Sequence, residues 1–143
     1  MLQTTSKDGA SCAPSNLSLA YIGDAVYELL VREYLITNYG LPSAQLHKMA
    51  TSIVNAKSQS DAVEKILPLL SDEEERVYMR GRNAKLSPVK RSSPVTHCRA
   101  TGLEALFGYL YLNGNQSRMN ELIGIILDHT NTEIQKAGGE LIE

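Results

Sequence analysis

Apolar residues recur at steps of three and four through most of this sequence, and that spacing places them on one face of an α-helix. The clearest case is LAYIGDAVYELL, residues 19–30, which follows a serine that can cap a helix. Later segments repeat the spacing and are separated by turn residues. No stretch longer than a few residues alternates apolar with polar side chains, as a half-buried strand would. The sequence therefore predicts an all-α fold.

The length of the chain fits a single domain. Its 143 residues can bury a core without disulfides, and Cys12 and Cys98 stand too far apart in sequence to form a metal-binding pair. We predict a flexible N-terminal arm at 1–15, a helical domain at 16–137 and a tail at 138–143. The sequence shows neither a signal peptide nor an apolar run of ~20 residues. We therefore expect a cytoplasmic protein with no membrane partner.

Charge is distributed unevenly along the chain. Seven of the 14 basic residues and no acidic residue lie between Glu75 and Glu104. That window carries +7, so the remainder must carry −9 to give the net charge of −2. Part of the window, GRNAKLSPVKRSSP at 81–94, contains two prolines and a glycine and is predicted to be a loop. A surface this positive favours a polyanionic ligand, although a solvated basic loop is the simpler alternative.

Gly23 and Asp24 lie in the middle of the first predicted helix. Glycine inside a helix costs about 0.5–1 kcal/mol relative to alanine, so Gly23 needs a reason, and close approach of another helix is one. The later segment TGLEALFGYL carries Gly102 and Gly108 and fits as the partner. A crossing there would bring Asp24 and Glu104 together. Two carboxylates from facing helices are a sufficient start for a Mg²⁺ site.

The residue types alone leave this site open. Asp24 or Glu104 taken singly is more often a solvated side chain than a metal ligand. Glu28 lies one helical turn after Asp24 and can add another carboxylate, but it can equally pair with Arg32 one turn further on. Periodicity therefore proposes a metal site without establishing it.

Two motifs carry a resemblance to a known family. LAYIGDAVYELL resembles the signature LEFLGDAVL of ribonuclease III catalytic domains, and TGLEALFGYLYLNG resembles their second acidic segment, D-x-x-E-A-L-x-G-A-x-x-x-D-x-G. The short chain, with no double-stranded-RNA-binding domain following, and the stretch MRGRNAK resemble the Mini-ribonuclease III branch. The similarity covers roughly residues 17–130. It implies the all-α fold of ribonuclease III endonuclease domains and a homodimer.

The resemblance also implies roles for individual residues. Asp24 and Glu104 match the acidic positions of the two motifs and are expected to be catalytic metal ligands. Two further positions that are acidic in the longer enzymes are Ala20 and Thr101 here, which leaves the number of metal ions open. Ribonucleases III are Mg²⁺-dependent endonucleases that hydrolyse double-stranded RNA and leave 5′-phosphate and 3′-hydroxyl ends. Each active site of the homodimer cuts one strand.

Contacts with RNA and with a second subunit follow from the same resemblance. Double-stranded RNA is gripped mainly through its backbone, which suits a cationic segment. The residues expected to bind RNA are Arg80, Arg82, Lys85, Lys90, Arg91 and Arg99. The residues expected at the subunit interface are Tyr21, Val26, Tyr27 and Leu30, for which packing inside the monomer is an equal alternative.

The predicted function is cleavage of double-stranded regions in structured RNA. The resemblance suggests maturation of the 23S ribosomal RNA precursor, in a bacterium or in a plastid stroma, with a ribosomal protein that presents the substrate as a candidate partner. The main alternative is a catalytically silent ribonuclease III-fold module that binds ribosomal RNA, as the changes at Ala20 and Thr101 would allow. A third interpretation is a helical interaction protein whose basic loop meets an acidic protein.

Overall fold

The computed structural model describes residues 13–84 and 94–128, and in these ranges every regular element is helical. The prediction of an all-α fold is confirmed. The elements are α1 (Asn16–Asn38), α2 (Ser43–Val54), α3 (Ala56–Ile66), a short 3₁₀ turn (Leu67–Leu69), α4 (Asp72–Arg82), α5 (Pro94–Leu112) and α6 (116–128). Most of the predicted N-terminal arm and the predicted end of the domain at 137 lie outside the described residues. No helix in the described ranges is long and apolar enough to cross a membrane.

Helices α1 and α4 start at serine caps, and the cap of α1 is shifted from the predicted position. Ser15, and not Ser18, caps α1, because the Ser15 side chain accepts a hydrogen bond from the backbone N–H of Ser18. At α4 the structure contains the predicted capping box, in which Ser71 and Glu74 bind each other's backbone N–H groups. Local side-chain chemistry thus determines where α1 and α4 begin.

Both ends of the predicted basic loop, 81–94, are helical in the structure. Helix α4 continues through Gly81 and Arg82, and α5 already begins at Pro94. Gly81 is buried against Gly102 and Ala105 of α5, so its lack of a side chain serves helix packing and does not end the helix. A proline is tolerated at the start of α5, since the first helical turn needs no N–H from it. Residues 85–93 lie outside the described part of the chain.

Helix α5 lies at the centre of the fold and packs against α1, α3 and α4. The core beside it is apolar and closely packed, and the rings of Tyr27 and Phe107 meet edge to face with centroids 5.1 Å apart. Its largest fully buried side chains include Tyr27, Phe107, Leu35, Ile66, Leu103 and Leu106. The position of α5 is therefore determined by three neighbouring helices.

The backbones of α1 and α5 touch where they cross. A Cβ atom on Gly23 would overlap the backbone carbonyl of Glu104, and one on Gly108 would overlap the carbonyl of Leu19. The predicted reason for Gly23 is confirmed, with Gly108 as its counterpart. Gly102 serves a different crossing, since a Cβ there would meet the ring of Tyr78 on α4 at 2.7 Å.

The interface residues predicted on α1 divide between the core and the surface. Val26, Tyr27 and Leu30 are buried in the core of the monomer, so the alternative of internal packing holds for them. Tyr21 is 85% exposed. Leu29, directly before the buried Leu30, is 60% exposed.

Candidate active site

The α1–α5 crossing brings two carboxyl groups together. Because Gly23 contacts the backbone of Glu104, the next residue on α1, Asp24, comes beside the Glu104 side chain. The two carboxyl groups are close enough to share a hydrogen bond. Asp24 is exposed to solvent, whereas Glu104 is half-buried. Asp24 is therefore the member of the pair that faces solvent, and Glu104 is the member closer to the core.

The electrostatics of this pair are unfavourable without a cation. Burial raises the pKa of the Glu104 carboxyl to about 8, and the charge of Asp24 and the hydrogen bond to Asp24 act in the same direction. Only the hydrogen bond from Gln59 lowers this pKa. A site that holds two carboxyl groups together and supplies no cation from its described neighbours is suited to bind a positive ligand.

Gln59 of α3 is the third side chain at the pair. Its amide Nε2 donates to Oε2 of Glu104 across 3.5 Å, and the residue is only 3% exposed. Gln59 is not among the predicted site residues, because the stretch KSQSD is polar throughout. A signal was present: Gln59 precedes Ala62 by three positions and Val63 by four, which places an amide on the buried face of α3.

Tyr27 lies on the core side of the pair, one turn after Asp24 on α1. Its hydroxyl is buried and has no hydrogen-bond partner among the described residues. Burial, and to a smaller extent the negative charge of Glu104, raise the pKa of this phenol above its usual value. The phenol beside the pair is thus neutral and shielded from water, and charges interact more strongly in such surroundings.

Comparison with known proteins assigns this arrangement to a family. The family model described as "Ribonuclease III domain" matches residues 17–115, which include both carboxyl groups. The chain belongs to the ribonuclease III domain family. It is therefore a ribonuclease III-type endoribonuclease, a class that acts on double-stranded RNA and generally uses divalent metal ions.

Individual relatives of this ribonuclease III domain span most of the chain. The chain is similar to the Mini-ribonuclease 3 of Enterococcus faecalis, with 44% identity over 76% of this chain and 85% of that protein. The Mini-ribonuclease 3 of Synechocystis is 39% identical over 78% of this chain and 77% of its own length. A crystal structure of a Fusobacterium nucleatum protein superposes with a TM-score of 0.71 at 34% identity and covers 80% of this chain and 93% of that one.

At two positions where longer enzymes of the family carry acidic residues, this ribonuclease III domain has Ala20 and Thr101, and both side chains are buried. Ala20 is buried beside Val77 and Ala105. Thr101 is also buried, and its hydroxyl donates to the backbone carbonyl of His97 at 3.0 Å. Neither residue offers a carboxylate to the pair of Asp24 and Glu104.

Glu28 belongs to a different contact in this ribonuclease III domain. Its Oε1 accepts from Arg32 at 2.6 Å, and both side chains are well exposed to solvent. This is the ion pair that the sequence analysis left open as the alternative. Within residues 13–84 and 94–128, no group of three or more histidine, cysteine or acidic side chains could hold a metal ion. Among the described residues, Asp24 and Glu104 thus have no third carboxylate that would complete a metal site.

The basic residues predicted to bind RNA fall into three groups in this ribonuclease III domain. Arg80 is exposed and Arg82 partly exposed, both on the last turn of α4, where Arg80 lines a surface cavity of about 720 Å³. Arg99 is paired with Glu64 of α3 at 3.3 Å, so its charge is already partly compensated within the fold. Lys85, Lys90 and Arg91 lie outside the described residues.

Proposed function

We propose that Asp24 and Glu104 form the catalytic metal centre of this endoribonuclease and that the metal is Mg²⁺. The observation that carries the proposal is the pairing of two carboxyl groups at the α1–α5 crossing, which raises the pKa of Glu104. Folding brings like charges together at a cost, and a divalent cation would offset that cost. Two carboxylates also fit Mg²⁺, which prefers oxygen ligands and keeps several waters.

The two carboxyl groups have different tasks in this proposal. Asp24 is exposed and can reach both the ion and a phosphate of bound RNA. Glu104 is half-buried and held by Gln59, so it determines where the ion sits relative to the core. When bound, a divalent cation supplies positive charge against the phosphate and lowers the pKa of water, so that water can serve as nucleophile. The products would carry 5′-phosphate and 3′-hydroxyl ends.

The RNA surface proposed here follows the end of α4 into the basic segment. Arg80 and Arg82 begin this surface, and Lys85, Lys90 and Arg91 follow them in sequence. Backbone contacts of this kind bind double-stranded RNA without reading its bases. Arg99 contributes less than the others in this proposal, because Glu64 neutralises part of its charge. Binding should weaken steeply as salt increases.

The active form proposed here is a homodimer. On α1 the exposed apolar side chains Tyr21, Leu29 and Ile36 lie at steps of eight and seven, which is one face of a helix. An exposed apolar face of this kind supports pairing with a second copy. Asp24 is also exposed on α1, so a dimer formed through this helix would hold two active sites near one interface, one for each RNA strand.

The substrate proposed for this ribonuclease is the 23S ribosomal RNA precursor in a bacterial cytoplasm, since the relatives that it matches over most of its length are bacterial Mini-ribonucleases 3. A ribosomal protein that presents this RNA is a further candidate partner. A plastid location remains a prediction. The alternative function is a catalytically silent module that binds ribosomal RNA. It is supported by Ala20 and Thr101, which are buried and carry no carboxylate.

Cleavage of a long RNA duplex tests the proposal. The protein is incubated at low salt with Mg²⁺ or with EDTA, beside the variants Asp24→Asn, Glu104→Gln and, as a matched control, Glu28→Gln. Glu28 is also a carboxylate on α1 but is paired with Arg32. We expect Mg²⁺-dependent products that fall about 10²–10³-fold in the first two variants and remain in the control. Duplex binding without cleavage, also on a precursor RNA, would favour the silent module.

A further inference from the structure

Two polar contacts fix how α3 lies along α5. Gln59 donates to Glu104 near one end of the interface, and Arg99 pairs with Glu64 near the other. From Gln59 to Glu64 the chain advances five residues on α3, whereas from Glu104 to Arg99 it goes back five residues on α5. The two helices are therefore antiparallel. The register between the two helices is therefore defined at both ends, and Gln59 is held against Glu104.

Gln59 occupies a position where an apolar side chain would be expected. It shares the buried face of α3 with Ala62, Val63 and Ile66. A buried amide is costly unless it is hydrogen-bonded, and a leucine or methionine would fill the same volume without that cost. The contact that the structure gives to its Nε2 is Oε2 of Glu104. Packing alone therefore does not account for a glutamine here.

We propose that Gln59 is a positioning residue for the active site and that its amide holds the Glu104 carboxyl in the orientation that faces Asp24. The inference rests on the proposed function of Asp24 and Glu104 as the metal centre. One oxygen of Glu104 is engaged by the amide N–H, which leaves the other lone pairs free for the ion. The N–H also stabilises the negative form of the carboxyl, which is the form that binds a cation.

The expected consequence is weaker binding of the metal ion when the amide is removed. Carboxylate ligands of metal ions are themselves hydrogen-bonded, and loss of such a partner typically costs about 10–100-fold in metal affinity or activity. Gln59 does not touch the RNA in this proposal, so affinity for the duplex should remain unchanged. A shift in Mg²⁺ dependence without a shift in RNA affinity is the signature of a positioning role.

The test compares Gln59→Met with Glu64→Gln. Methionine keeps the length of the side chain and removes the N–H donor, and Glu64→Gln weakens the other α3–α5 contact without reaching Glu104. Two quantities are measured in each variant: the Mg²⁺ concentration for half-maximal cleavage, and the rise in melting temperature when Mg²⁺ is added without RNA. The second follows metal binding by mass action and needs no catalysis.

We expect Gln59→Met to need about tenfold more Mg²⁺ in both measurements and Glu64→Gln to keep the Mg²⁺ dependence of the parent protein, although its RNA affinity should rise because Arg99 loses its partner. Equal Mg²⁺ dependence of Gln59→Met and the parent would overturn the inference, as would an equal shift in both variants. If Gln59→Met does not fold, Gln59→Leu replaces it. Full cleavage by Asp24→Asn and Glu104→Gln would instead remove the proposed metal centre, so the two failures are distinguishable.

Discussion

Glu74 and Glu104 are both partly or fully buried glutamates on helices, but the fold treats their charges in opposite ways. Glu74 accepts from Nε and an NH₂ group of Arg118 at 2.9 and 2.8 Å, and these bonds lower the pKa of its carboxyl. Glu104 faces Asp24 and has its pKa raised to about 8. The charge of Glu74 is compensated inside the protein, whereas Glu104 has no cation among its described neighbours.

The partners of the two residues explain this difference. Arg118 of α6 also donates to the carbonyl of Leu69 and to Glu121, so it ties α6 to the start of α4. Glu74 is therefore part of a structural network. Glu104 receives one amide N–H, from Gln59, and no cation from the described residues. In this fold, the carboxyl group with no cation among its described neighbours is the one that we propose as part of the active site.

The substitution Asp24→Lys would give Glu104 the kind of partner that Glu74 has. We expect cleavage to fall at least about 10³-fold, since the metal centre loses a ligand and gains a positive charge. The melting temperature in EDTA should rise, because a lysine ammonium favours the ionised form of Glu104. RNA cleavage and thermal unfolding of the same preparation check both parts. Retained cleavage would show that Asp24 is not needed for catalysis.

The substitution Arg118→Met should remove the ion pair that compensates the charge of Glu74. It leaves Glu74 buried without a cation, and loss of one partner of such a pair typically costs about 3–5 kcal/mol of unfolding free energy. Urea denaturation measures the loss. The matched control is Glu121→Gln, because Glu121 binds the same arginine but its side chain is 59% exposed. Its cost should stay below about 1 kcal/mol.

The pH dependence of stability gives a check on the same ion pair. The pKa of Glu74 is lowered by folding, so its contribution is complete above the ordinary pKa of a glutamate and is lost as the pH falls through the lower pKa of the folded state. Arg118→Met should therefore lose much of this acid sensitivity. If Arg118→Met lost as much stability at low pH as the parent protein does, Glu74 would not be the group that causes the acid sensitivity.

Glu104→Gln should change stability with the opposite sign to Arg118→Met. Because folding raises the pKa of Glu104 to about 8, the folded metal-free protein loses stability as the pH rises from the ordinary glutamate range through that value. The glutamine variant lacks this loss. In EDTA at pH 8–9 its melting temperature should exceed that of the parent by about 3 °C or more, and the difference should vanish near pH 4. If the melting temperatures of the variant and the parent changed with pH in the same way, Glu104 would not be a group whose pKa is raised by folding.

Much of the fold and the carboxyl pair could be predicted because the signals are local. The apolar period defines α1 and α5, and the glycines in both helices indicate a close crossing that joins Asp24 to Glu104. The capping box of α4 is likewise contained in four residues, Ser71 to Glu74. Each of these inferences needs only one helix, or the assumption that two glycine-bearing helices meet.

The remaining features depend on which helices become neighbours, and the sequence does not reveal that. Gly102 packs on Tyr78 of α4 and not on α1. The partner of Arg99 lies 35 positions away on α3, so a charge count assigned it to an RNA surface. Gln59 reaches Glu104 across 45 positions and lies in a polar stretch. Such contacts become visible only when the packing around α5 is known.

The touching backbones of α1 and α5 link activity to the integrity of the whole molecule. Neither Asp24 nor Glu104 is carried by a loop, and their helices cannot separate without opening the core around Phe107. Backbone amides at this crossing should exchange with solvent deuterium only when the entire domain opens, at the slowest rates in the protein. Heat inactivation should accordingly coincide with global unfolding, and no partly opened intermediate should retain cleavage.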